Sequence, residues 1–241
     1  MKLRRLTTLA ICLALLAGCQ PTYRVTERPI TSRHENNKVV LMPPDIILSE
    51  LSAGGHAEAN AVWTDQAKKN LLEGIRRNVI FSKLDLVEIS QPPHGSPEDQ
   101  LFSTFQKLHT AVGGAILMHS YQPAYVLPTK GVKLDWTMGP LTKKVREATQ
   151  GRYALFLHVY DSYAGGGRVA LMLTAALLFG VAIEGGKQTG FASLVDLETG
   201  EIVWFNHIAR TSGDLRNQES AQESINALFM GFPLGKECGT C

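Results

Sequence analysis

No segment of this chain is long and apolar enough to cross a bilayer as one helix, which takes about 20 residues. The two charge-free runs that come nearest, 6–17 and 169–183, both fall short. Local catalytic signatures are missing too. There is no Walker lysine-serine pair, no full Gly-x-Gly-x-x-Gly, no Gly-x-Ser-x-Gly and no His-x-x-x-His, so the compact signs of a phosphate cradle, a nucleophile elbow or a zinc helix are absent. Charged residues make up only 19% of the chain, and no lysine or arginine cluster alternates with aromatics. Nucleic-acid binding therefore lacks its electrostatic footing.

What is present starts at the N-terminus. Lys2, Arg4 and Arg5 precede the apolar stretch from Leu6 to Ala17, and Leu16-Ala17-Gly18-Cys19 follows. The charged start, short apolar region and small residues are those of a signal peptide. The Cys19 thiol is the one group there able to form a thioether with a diacylglyceryl donor. The arrangement resembles the bacterial lipoprotein signal, which implies cleavage before Cys19, lipid on its sulfur and, with Gln20 in place of an aspartate, sorting to the periplasmic face of the outer membrane. Loss of residues 1–18 leaves 21 basic against 22 acidic side chains, a formal −1. Residues 19–37 are polar and aperiodic and are expected to form a flexible tether, with a single domain over 38–232 and a tail over 233–241.

Strands are expected near 39–48, 84–89, 114–119, 153–163, 188–196 and 202–210, the first three parallel and the last two antiparallel. Apolar residues at spacings of three and four predict a helix over 63–80, with Thr64 as cap and Asp65 in its first turn. Ser96, Pro97 and Asp99 start a second helix, which Gly113-Gly114 is expected to stop. Residues 120–152 read as an inserted excursion carrying exposed Tyr121, Tyr125 and Trp136, with a short helix over 141–150. The hairpin over 188–210 turns at Leu197-Glu198-Thr199-Gly200-Glu201, and a helix over 219–229 closes the body. The fold class is α/β: a small mixed sheet flanked by helices, with an inserted excursion and a C-terminal β-hairpin plus helix.

Residues 169–183 contain no charge, and Thr174 is the one clearly polar side chain among them. As a helix of about 1.5 Å per residue they reach about 22 Å, short of a membrane span. Three placements stand open: a helix buried on nearly all sides, a single span, or a helix or hairpin covered by another subunit, a partner or lipid. Leu173, Leu177 and Val181 share an arc and are the candidate interface residues.

Cys12 leaves with the signal and Cys19 is expected to be acylated, so Cys238 and Cys241 are the remaining thiols. Three apart in an oxidising compartment, they can close as a disulfide, and their place at the chain end argues against a thioredoxin-like active site. His119, His158 and His207, with Asp161 or Asp196, offer nitrogen and oxygen ligands without any local metal spacing. Ser120, Ser162 and Ser193 lack a nominated base. Gly165-Gly166-Gly167-Arg168 is compatible with an anion nest and equally with a flexible lead into the apolar run. No catalytic, cofactor or metal residue is nominated.

The string from Ser193 to Trp204, behind a lipoprotein signal and an α/β core, is similar to the envelope lipoproteins related to the curli secretion channel and to the outer-membrane activators of penicillin-binding proteins. That resemblance implies binding or assembly without chemistry: a non-enzymatic accessory or scaffold in envelope assembly or secretion. Its partners would be the membrane, through the N-terminal lipid, and another envelope protein or further copies of the chain. The alternatives from other classes are an envelope hydrolase or metal-dependent enzyme using His119, His158 and His207, and a pore-like oligomer using residues 169–183.

Overall fold

The computed structural model describes residues 23–26, 38–131, 133–211 and 213–234; the signal, Cys19, Cys238 and Cys241 lie outside them. Among the described residues an open mixed sheet of eight strands carries five α-helices. Its longest strand, β6 (Tyr153–Ala164), organises the rest. On one edge β6 pairs in parallel first with β2 (Val39–Leu41) and then with β3 (Asp45–Leu51). The single strand expected over 39–48 is thus two, divided at Pro43-Pro44, where two successive residues have no N–H to give to the ladder. On its other edge β6 pairs antiparallel with β7 (Gln188–Asp196), and β7 with β8 (Ile202–Arg210). β5 (Leu86–Glu88) extends the sheet in parallel beyond β2, and β4 (Ala57–Ala59) is antiparallel to β3. The far edge is β1 (Tyr23–Val25), antiparallel to β8. The stretch 19–37, expected as free tether, therefore contributes a strand.

Successive residues of a strand point to opposite faces, and here both faces are covered. On one, Leu41, Leu48, Leu155, Leu157 and Trp204 meet Leu71 and Ile75 of α1 (Ala61–Arg77) and Ile225 and Leu228 of α5 (Gln218–Leu228). On the other, Val40, Ala154, Phe156 and Phe205 meet Phe105 and Ile116 of α2 (Pro97–Tyr121) and Val145 of α3 (Leu141–Thr149). Each such side chain contributes about 1.5–3 kcal/mol by leaving water.

Several local expectations are corrected. The strand expected at 114–119 is the last part of α2, which runs through Gly113-Gly114. Gly113 faces the sheet so closely that a Cβ there would sit 2.1 Å from the Phe191 ring, so this glycine permits close packing and does not end the helix. The third parallel partner is consequently β6. The cap of α1 is Asn60, whose side chain accepts from the Trp63 N–H at 3.1 Å. Thr64 instead accepts from the Leu48 N–H at 3.0 Å, and no acidic residue lies in the first turn. The excursion folds back onto the sheet: Leu134 and Met138 are buried, Thr137 bridges to Glu201, and Tyr121 and Trp136 are half-covered, leaving Tyr125 as its exposed aromatic. Ser96 does cap α2, accepting from the Asp99 N–H at 3.1 Å. The hairpin turn carries Gly200 at φ 81°, in the region that favours glycine, and the Asp196 carboxylate accepts the Glu198 and Thr199 N–H groups inside it.

Candidate functional site

Between β6 and β7 the chain leaves the sheet and returns, and the excursion carries α4 (Gly166–Phe179). Leucine, alanine and methionine are strong helix formers, which sets the helix locally without help from a tertiary face. Gly180, at φ 65°, ends it in the left-handed conformation that frees its N–H for the Ala175 and Ala176 carbonyls. The Arg168 guanidinium donates to the Glu184 carbonyl at 2.9 Å, tying the start of the helix to the returning chain.

α4 is not core. Ala175 is its one buried residue, while Leu173 is 59%, Leu177 83%, Leu178 70% and Phe179 75% exposed, with Val181 just beyond at 51%. The three candidate interface residues thus all face outward. Met172, half-covered, lies against Gly185 of the returning segment and marks the inner side. At 100° per residue the exposed positions Val169, Ala170, Leu171, Leu173, Thr174, Ala176, Leu177 and Leu178 cover more than half the circumference. With Leu173, Leu177, Leu178 and Phe179 all more than half exposed and contiguous, this is a large apolar surface of the kind that marks an interaction site.

The root of the excursion is braced by polar side chains. The buried Asp161 carboxylate accepts from the Tyr163 hydroxyl and, at 2.7 Å, from the Gln188 amide. Gln188 accepts from Arg210 at 2.7 Å and from Ser224 at 3.0 Å, and the Tyr163 oxygen accepts the Leu215 N–H at 2.7 Å. Burial pushes the Asp161 carboxyl above its usual range and, together with that carboxylate, raises the Tyr163 phenol. Arg216, paired with Asp214, lies 4.1 Å from the Tyr163 ring centre and 4.4 Å from that of Trp63. Gly186 presses on the same root: a Cβ there would lie 1.9 Å from the Ser162 carbonyl oxygen.

The imidazoles and serines fall elsewhere. His119 lies on α2, not on a strand, with Nδ1 2.8 Å from the Tyr125 carbonyl oxygen. His158 on β6 pairs with Asp45 at 2.8 Å, and the His207 ring meets that of Tyr121 edge-on. Among the described residues no group of three or more His, Cys, Asp or Glu is placed to hold a metal ion. A pair missed in the sequence is His109 and Ser193, with Nε2 2.7 Å from the hydroxyl oxygen. Both are buried, and His109 stacks on Phe156. Desolvation, helped by His158, drives the His109 pKa down to about 3, so the ring is neutral. The pair is a satisfied polar contact between α2 and the sheet, closed to any substrate in this conformation. Gly165 does lead into α4 as its cap, but the Glu50 carboxylate lies against it, where an anion would have to sit.

Among the described residues no helix is long and apolar enough to cross a membrane. No family model matches the sequence, and no curated protein matches it. Solved structures similar to the chain include the PelC dodecamer from Paraburkholderia phytofirmans, 14% identical with TM-score 0.37 over 89% of this chain and 99% of that one. Lipoprotein GNA1162 from Neisseria meningitidis is 10% identical with TM-score 0.30 over 73% and 81%. The LpoB C-terminal domain from Salmonella enterica is 13% identical with TM-score 0.27 over 75% and 86%. At such identities none lends this chain a functional residue.

Proposed function

We propose that the mature chain is a lipoprotein held by acyl chains on Cys19 at the periplasmic face of the outer membrane, serving as a non-enzymatic accessory or scaffold in envelope assembly or secretion. It works by contact, with the membrane through its N-terminal lipid and with another envelope protein or further copies of itself. The observation that carries this reading is α4, apolar and outward on a body whose sheet is already covered on both faces. A surface of that kind calls for cover from outside the chain, and Leu173, Leu177 and Val181 are the proposed contact residues.

Fractionation and crosslinking test the reading. Replacing Cys19 with serine should release the body from the outer-membrane fraction or leave an uncleaved precursor. In crosslinked envelopes the anchored protein should co-purify with a defined envelope protein, or as a multimer, and the released variant should not. Unchanged acylation and partition in the Cys19→Ser chain, or identical crosslinks from anchored and released forms, would overturn it.

A further inference from the structure

Strand register says which end of the molecule faces the anchor. β1 is antiparallel to β8 with Tyr23 opposite Asn206 and Val25 opposite Trp204, so β1 read back to Tyr23 points toward the Arg210 end of β8. Arg210 is opposite Gln188 of β7, and Gln188 is opposite Asp161 of β6. β6 then continues to Ala164 and hands over to α4. The N-terminal end of β1 and the start of the apolar helix therefore point to one end of the sheet.

Covalent reach tightens this. Residues 20–22 separate Cys19 from Tyr23, and at no more than about 3.6 Å per residue Cys19 lies within about 14 Å of Tyr23. Tyr23 is level with Asn206, four residues short of Arg210, or about 13 Å along a strand. Cys19 can thus reach little beyond the level at which β8 ends, whereas β6 runs three residues past that level before α4 begins. A bilayer lying against this end of the sheet is within reach of acyl chains on Cys19.

We infer that α4 is immersed in the hydrocarbon of the periplasm-facing leaflet, in the same membrane that holds the Cys19 lipid. The inference rests on the acylation of Cys19 proposed above and names what covers the helix. A groove on a protein partner covers one stripe of a helix, whereas α4 is apolar over most of its circumference and carries no charge from Val169 to Ile183. Lipid covers every side at once. Arg168 and Glu184 bound the run, where the headgroup region lies. At about 21 Å, α4 enters the layer without crossing it. Lipid on a cysteine and an immersed helix are two independent membrane signals: the acyl chains hold the protein to the bilayer and the helix orients it there.

The test uses the acylated mature protein with Cys238→Ser, Cys241→Ser and Leu177→Cys, which leaves one free thiol for an environment-sensitive fluorophore. It is reconstituted in vesicles of phosphatidylethanolamine and phosphatidylglycerol with or without lipids brominated in mid-chain. Mass spectrometry of the N-terminus reports acylation first, so a failure of the anchor is seen separately. The expected result is blue-shifted emission from position 177, quenched by brominated lipid, while the same label at Val79→Cys, at the opposite end of the body, stays unshifted. In the unacylated chain, Leu173→Ser and Leu177→Ser should each lower vesicle partition about tenfold with unchanged melting temperature. Absence of quenching at 177 in the acylated protein overturns the inference. So does a blue shift that precedes vesicle addition in a multimer, which would assign the cover to a second copy.

Discussion

Acid should weaken this fold through one imidazole. His109 is fully enclosed between α2 and the sheet, with a pKa driven down to about 3 chiefly by desolvation. In the unfolded chain the same ring titrates near 6.5. Between those values the unfolded state binds a proton that the native state excludes, so native stability falls as pH falls, by about 1.4 kcal/mol per unit once below 6.5. Completed, the loss is on the order of 4–5 kcal/mol, a large part of the 5–15 kcal/mol that holds a typical domain. The carboxylates enter later: Asp45, lowered mainly by its hydrogen bond to His158, withdraws stability only as pH approaches and passes below 3.8, while Asp161, raised by burial, acts with the opposite sign above 3.8. The imidazole contribution is isolated by comparing the chain with a His109 variant across pH 6.5 to 5, where the effect of Asp161 is common to both. Urea unfolding of the unacylated Cys19→Ser chain across that window should show a falling midpoint. His109→Gln, which keeps a group able to bond the Ser193 hydroxyl but does not titrate, should flatten it. Equal slopes in both chains would refute the argument.

Gly113→Ala should destabilise the protein by about 1–3 kcal/mol, because the new methyl meets the Phe191 ring, while Gly114→Ala, with open space around it, should raise the melting temperature; similar shifts for both would contradict the packing argument. Asn206→Ala should cost about 1–3 kcal/mol in chemical denaturation, since its buried amide donates to the Ala227 and Leu228 carbonyls at 2.9 and 2.8 Å where α5 ends. Cys238 and Cys241 are expected to resist alkylation until a reductant is added; immediate labelling of both in protein taken from the periplasm would show that they are not joined.

Much of the architecture is written locally. β7 and β8 coincide with the runs expected at 188–196 and 202–210, because two apolar runs flanking a Thr-Gly turn are a signal contained within a few residues. The ambiguous elements are those decided by tertiary packing. Gly113-Gly114 has the local form of a helix stop, and only the Phe191 ring opposite shows that Gly113 serves close packing inside a continuing helix. β1 is three residues with no period, visible only once β8 offers an edge. Of the candidate site, the absence of charge over 169–183 was plain, but its exposure was not, since the same composition serves a buried helix. The His109–Ser193 contact joins residues 84 apart, beyond any local spacing.

The pairing of β6 with its two successive parallel neighbours also sets an order of events. β2 and β3 find their partner only after more than a hundred further residues, and β1 must wait for β8, whereas β6, β7 and β8 can form a meander among themselves. Ladders of long sequence separation close slowly. A chain folding from its N-terminus thus has an early half that cannot complete its sheet alone. β1, near the start of the chain, is locked only once β8, near its other end, is in place, so the far edge of the sheet is set late in folding.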